Sequence, residues 1–160
     1  NTVILDPSQR INNQFFDGIQ RFDTSLEVDN VMKTILEDFK KRVASPNQDY
    51  PKWLILIPDL AATAMAAGVG EVDFKQLLSE GAQYGVTLLF IGAYQDLVAN
   101  NYDTFVKLAN QLVEQVFLGV RISDQDHTRY PYITNEPALK PNQGYILYPD
   151  RYESIQLLEI

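Results

Sequence analysis

Short unbroken apolar runs and longer helical repeats alternate along the chain. Thr2-Val3-Ile4-Leu5, Trp53 to Ile57, Val86 to Ile91 and Gln115 to Val120 show no polar alternation. Runs of this kind mark strands buried on both faces of a parallel sheet covered by helices. Between them, Val28, Val31, Met32, Ile35, Leu36, Phe39 and Val43 recur at helical spacing, with Asp29, Lys33, Glu37, Lys40 and Lys41 on the opposite face. Thr24-x-x-Glu27 precedes this helix as a capping box, and Ser45-Pro46-Asn47 ends it. Phe74, Leu77, Leu78 and Ala82 predict a second helix, with Asp73 and Gln76 as candidate caps and Gly85 as its stop. Tyr102, Phe105, Val106, Ala109, Leu112 and Val113 predict a third.

The remaining stretches are less periodic. Gln9 to Phe22 reads as a loop packed on the domain. Ala61 to Ala67, before Gly68-Val69-Gly70, reads either as a short helix with a glycine stop or as a flexible loop. Ser123 to Lys140 is irregular. Gln143 to Tyr148 and Glu153 to Leu158 read as two closing strands around Pro149-Asp150.

Strands alternating with helices imply right-handed β-α-β units, an α/β fold with a mainly parallel sheet, and a single domain over residues 1–160. Pro58 offers no backbone donor, so the ladder of the Trp53 strand should stop there. Asp59 then stands at the carboxyl end of that strand, where ligands gather in open α/β sheets.

Composition narrows the chemistry. The chain has 160 residues, 46% hydrophobic and 21% charged, with 13 basic and 21 acidic side chains and a net charge of −8. That balance argues against a surface built for nucleic acid phosphates. There is no cysteine, hence no disulfide framework and no thiolate metal site. The chain opens at Asn1 rather than methionine and runs straight into a strand, so a piece of a longer protein is expected.

Three strands end in polar groups: Asp6, Asp59, and Gln95 with Asp96. A parallel sheet would set all three along one edge, with Arg121 joining them after the Gln115 strand. A strand-end carboxylate of this kind can hold magnesium or orient water, and a glutamine can sense a γ-phosphate. Equally, strand ends are polar in any such fold because loops begin there. The phosphate cradle Gly-x-x-x-x-Gly-Lys-Ser/Thr does not occur, and no Gly-Lys pair exists in the chain. Asp124, Asp126 and His127 make too sparse a ligand set for a metal, and none is expected. The only histidine has no serine in a nucleophile-elbow context, so a hydrolase triad is not expected either. Tyr130-Pro131-Tyr132 offers a candidate apolar patch.

Several segments together resemble FtsK/SpoIIIE-type ATPases. Val3-Ile4-Leu5-Asp6-Pro7 resembles the strand-Asp-Pro segment that follows the P-loop helix of that family. Glu37 to Arg42 resembles the end of its next helix, and Leu54 to Asp59 falls at its Walker B strand. Gly81-Ala82-Gln83-Tyr84-Gly85-Val86-Thr87-Leu88-Leu89-Phe90 resembles its Gly-Arg-x-x-Gly-Ile-x-Leu-x-Leu segment, and Gln95 matches the glutamine that follows. Asn142 to Leu147 resembles its late glycine turn and strand. Order and spacing hold over nearly the whole chain. The departures are specific. Pro58 replaces the magnesium-holding aspartate, Asp59 replaces the catalytic glutamate, Gln143 replaces the turn arginine, and the P-loop segment itself is missing.

The Tyr94-Gln95-Asp96 region and the Tyr152-Glu153-Ser154-Ile155-Gln156 strand are most similar to the degenerate C-terminal domain of the EssC/EccC branch, the coupling proteins of type VII secretion. The resemblance implies a RecA-like, P-loop NTPase-type parallel sheet flanked by helices without its Walker A segment. It implies a domain that recognises substrate or regulates export without hydrolysing ATP, within a membrane-anchored parent that is an ATPase on the cytoplasmic side of a bacterial membrane. Its implied partners are WXG100-type exported proteins, neighbouring ATPase domains of the same chain and further copies of the parent, with no nucleic acid. Asp6, Asp59 and Gln95 are the candidate nucleotide-site residues, and Tyr94, Gln95 and Arg121 the candidate partner contacts. No cofactor is expected in this stretch itself, with ATP and magnesium belonging to the parent. The rival expectation is an active ATP-driven translocase of protein or DNA, its P-loop supplied upstream.

Overall fold

A computed structural model of the chain describes residues 1–11, 18–46, 49–92, 103–112, 115–118, 121, 135–148 and 151–157. These fall into two compact units, Asn1–Leu112 and Val113–Ile160.

In the first unit, β1 (Thr2–Leu5), β2 (Gln20–Phe22), β3 (Trp53–Ile57) and β4 (Val86–Phe90) form a parallel sheet in the order β2-β1-β3-β4. β2 lies inside the stretch expected to be loop. At three residues it is too short to carry a readable period, and its pairing with β1 is what makes it a strand. β3 ends at Ile57, directly before Pro58, as the missing donor requires.

Helices α1 (Ser25–Ala44), α2 (Leu60–Ala67), α3 (Glu71–Glu80) and α4 (Thr104–Leu112) complete the unit. The capping box is formed: the Glu27 amide donates to Thr24 Oγ1, and Glu27 Oε2 accepts from the Thr24 amide and hydroxyl. Ala61 to Ala67 is helical, capped by Asp59 and stopped by Gly68 in the left-handed region at φ 53°. α3 starts at Glu71 after Gly70, earlier than a cap at Asp73 would place it. Asp73 instead bonds Lys40 of α1 at 2.9 Å. Beyond α3, one turn of 3₁₀ helix over Gly81–Tyr84 leads to Gly85 at φ 74°, which turns the chain into β4. Asp103 accepts from the amides of Phe105 and Val106, starting α4.

The pleat sends alternate side chains to opposite faces. Val3, Leu5, Ile55, Ile57, Leu88 and Phe90 meet Val28, Met32, Ile35, Phe39, Leu60, Phe74, Leu77, Val106 and Ala109 in one core. Each buried aliphatic side chain there contributes on the order of 1.5–3 kcal/mol. Phe74 and Phe105 meet edge to face at 4.8 Å, joining α3 to α4. The other face departs from the both-faces-buried expectation. Ile4 and Leu56 are buried on it, yet Leu54, Leu89 and Ile91 are exposed by 37%, 46% and 46%. All four helices contribute to the one core.

In the second unit, β5 (Gln115–Leu118), β6 (Gln143–Leu147) and β7 (Tyr152–Gln156) form an antiparallel meander. The two closing strands are there, β6 pairing with β7. β5 corrects the sequence reading: it pairs antiparallel with β6 and is not a strand of the parallel sheet. An apolar run of four to six residues carries no information about its partner or direction, and register with β6 decided both. Tyr145 packs edge to face on Tyr152 at 5.7 Å. Burial, then the charge and hydrogen bond of Glu136, raises the Tyr145 hydroxyl above its usual pKa. No helix among the described residues is long and apolar enough to cross a membrane.

Candidate functional site

The carboxyl ends of β1 and β3 carry Asp6 and Asp59. Because the two strands are parallel neighbours, both acids sit at one edge of the sheet. Asp6 is fully buried. Its Oδ1 accepts from the Arg10 amide and its Oδ2 from the Ile11 amide, both at 2.9 Å, while Arg21 Nη2 stands 3.2 Å from Oδ2. The Gln9 amide donates to the Asp6 carbonyl, with Gln9 at φ 55°. The loop therefore winds around this carboxylate, and β2 supplies the arginine that offsets its charge. A buried anion satisfied by two amides and a guanidinium is an organiser of its loop.

Asp59 is the N-cap of α2. Its Oδ1 accepts from the Ala62 amide at 3.0 Å, and its Oδ2 pairs with Arg10 Nη2 at 2.9 Å. Thr63 Oγ1 donates to the Leu5 carbonyl at 3.4 Å and ties α2 to the end of β1. Arg10 links the two acids: its amide is held by Asp6 and its guanidinium lies on Asp59. Sequence reasoning missed Arg10 and Arg21, because both stand in the segment without period.

The donor set does not fit a magnesium–nucleotide group. Hard cations need several oxygen ligands, and Pro58 has no side-chain oxygen. Both oxygens of Asp59 are engaged within the domain, as are both oxygens of Asp6. Among the described residues no group of three or more potential ligands assembles.

Tyr94 and Gln95 lie outside the described residues, as do Asp96, His127 and Tyr130. Arg121 is exposed and follows β5, a strand of the antiparallel sheet in the second unit and not of the parallel one. A shallow groove of ≈ 230 Å³ runs between α1 and the α2–α3 turn, lined by Lys33, Leu36, Lys40, Gly68 and Asp73 among others. It lies at the far end of α2 from Asp59, and its lysines are paired with Asp29 and Asp73.

Comparison with known proteins places this geometry. No family model matches the chain. The type VII secretion system protein EssC of Staphylococcus aureus (strain NCTC 8325) is 27% identical over 130 residues, 81% of this chain and 9% of that protein. The solved EssC ATPases 2 and 3 of Geobacillus thermodenitrificans align with a TM-score of 0.65 at 16% identity, covering 98% of this chain and 31% of theirs. The chain resembles these EssC/EccC-type ATPase domains in sequence and in fold. The EccC ATPases 2 and 3 of Thermomonospora curvata, solved in complex with a signal sequence peptide, align with a TM-score of 0.60 at 11% identity, covering 98% of this chain and 30% of that one. The EssC/EccC type carries the RecA-like parallel sheet seen in the first unit. The chain spans about a tenth of the length of the curated relatives it matches.

Proposed function

We propose that this domain of a type VII secretion coupling protein recognises export substrate or regulates export, and does not itself hydrolyse ATP. The observation that carries this reading is the state of Asp59. The acid at the Walker B position caps α2 with one oxygen and pairs with Arg10 through the other, and the residue before it is proline. An edge so satisfied has lost phosphate chemistry and keeps a parallel-sheet rim suited to peptide recognition. The signal sequence peptide bound by the EccC relative supports a peptide partner. That partner is the C-terminal tail of a WXG100-type exported protein, met at the edge that Tyr94 and Gln95 follow in sequence, with Arg121 as a third contact to test. In the parent, the domain sits among neighbouring ATPase domains on the cytoplasmic side of the membrane, in an assembly of several copies.

Two measurements test this. Phosphate release from Mg-ATP should stay at background; release that disappears on Asp59→Ala restores the rival reading of an active translocase domain. A labelled tail peptide should bind saturably and weakly, since a short tail buries little area and must be ordered on docking. Absence of saturable binding defeats the recognition role.

A further inference from the structure

We infer that the Asp59 carboxylate is a docking point for a basic side chain of the partner, held closed in the free domain by Arg10. The inference rests on the recognition reading above and names the chemistry of its contact.

Three observations carry it. First, the two members of the ion pair differ in exposure. The Asp59 side chain is only 12% exposed, whereas that of Arg10 is 39% exposed. A carboxylate this sheltered needs a cation close by, and the guanidinium that serves it is the member of the pair that reaches solvent. Second, the loop that carries Arg10 does not depend on the pair. Its backbone is fastened by the two amides on Asp6, by the Gln9 amide and by Arg21 Nη1 on the Ile11 carbonyl at 2.9 Å. The fastening of the loop backbone is therefore separate from the Arg10–Asp59 pair. Third, Oδ1 of Asp59 accepts from the Ala62 amide, which leaves Oδ2, the oxygen on Arg10, as the position for an incoming cation. A guanidinium or ammonium group replacing Arg10 restores the same charge-assisted hydrogen bond. The net charge of −8 draws basic segments toward the domain at long range.

The test uses methylguanidinium chloride, the arginine head group alone, titrated into the 160-residue chain against matched sodium chloride. The amide signals of Asp59 and Ala62 report binding. In the unmodified chain Arg10 competes and the response is weak. In Arg10→Gln it should be saturable and at least about fivefold tighter, the scale of one exposed pair. It should vanish in Arg10→Gln/Asp59→Asn. If Arg10→Gln does not fold, Arg10→Lys keeps the charge without the planar fork and should give an intermediate response. Equal response with and without Arg10, or a response that survives loss of Asp59, overturns the inference. A tail peptide in two forms, basic residues intact or replaced by glutamine, separates this proposal from the one it rests on. Tail binding indifferent to that replacement overturns the Asp59 contact and leaves recognition standing. No tail binding, with the methylguanidinium response intact, defeats recognition alone.

Discussion

Arg42 Nη2 lies 2.6 Å from Asp38 Oδ2, one turn back along α1, with the arginine side chain only 2% exposed. The same guanidinium donates to the Tyr84 carbonyl at 3.1 Å and the Pro51 carbonyl at 2.7 Å, and stacks over the Tyr50 ring. Arg42 Nε at 2.9 Å and Trp53 Nε1 at 2.8 Å donate to the same oxygen of Asp38. One buried residue thus fastens the end of α1 to the segments that enter β3 and β4. Arg42→Ala should cost about 3 kcal/mol, because it takes the buried guanidinium from Asp38 and from the Tyr84 and Pro51 carbonyls together. Arg42→Lys keeps the charge but loses the fork, and should cost roughly half as much. Urea denaturation decides: the midpoint should fall with an unchanged slope, and an unmoved midpoint in Arg42→Ala would show the hub to be dispensable.

Asp38 also sets a pH dependence. Burial pushes its carboxyl up, but hydrogen bonds from Arg42 and Trp53 and the charges of Arg42 and Lys41 outweigh it, so the pKa lies below the usual 3.8. A depressed folded pKa means that the group's contribution is fully present above the unfolded value and is lost as pH falls through the folded one. Stability should therefore decline below about pH 4, and Asp38→Asn should flatten part of that decline. Identical acid profiles for the two proteins would refute the assignment.

A methyl group on Gly81 would lie 2.7 Å from the Val86 carbonyl oxygen, a backbone atom, and 3.3 Å from Leu77 Cδ1. The 3₁₀ turn packs directly on the start of β4, so neither side can yield without moving the sheet. Gly81→Ala should destabilise by about 1–3 kcal/mol. Thermal melts read this, and a melting temperature equal to that of the parent chain would count against the close approach.

β4 ends the parallel sheet among the described residues, and Val86-Thr87-Leu88-Leu89-Phe90-Ile91 contains no charge or proline. With Leu89 and Ile91 exposed, such a strand is a template for pairing with another chain. The isolated chain should self-associate as its concentration rises, and Leu89→Lys should suppress this at less than about 1 kcal/mol of folding stability. Sedimentation velocity checks both points; a monomer at all concentrations, or association untouched by Leu89→Lys, speaks against an open β4.

What local order prescribes was legible in the chain. Thr24 and Glu27 specify a helix start because their partners are three residues apart. The α1 face, the halt of β3 before Pro58 and the β6–β7 hairpin follow from spacing and from a missing donor. The position of Asp59 at a strand end was legible for the same reason. What only the tertiary structure decided depends on partners distant in sequence. β2 is a strand because β1 lies beside it. β5 runs antiparallel because β6 receives it, so Arg121 follows a strand of the antiparallel sheet where the sequence reading had a parallel one. Arg42 is buried because Pro51 and Tyr84 supply acceptors 9 and 42 residues away. Leu54, Leu89 and Ile91 stay exposed on the second sheet face because the described helices of the unit pack on the first. Arg10 reaches Asp59 across 49 residues of sequence, since a charged side chain in an aperiodic loop has no local signal for its partner.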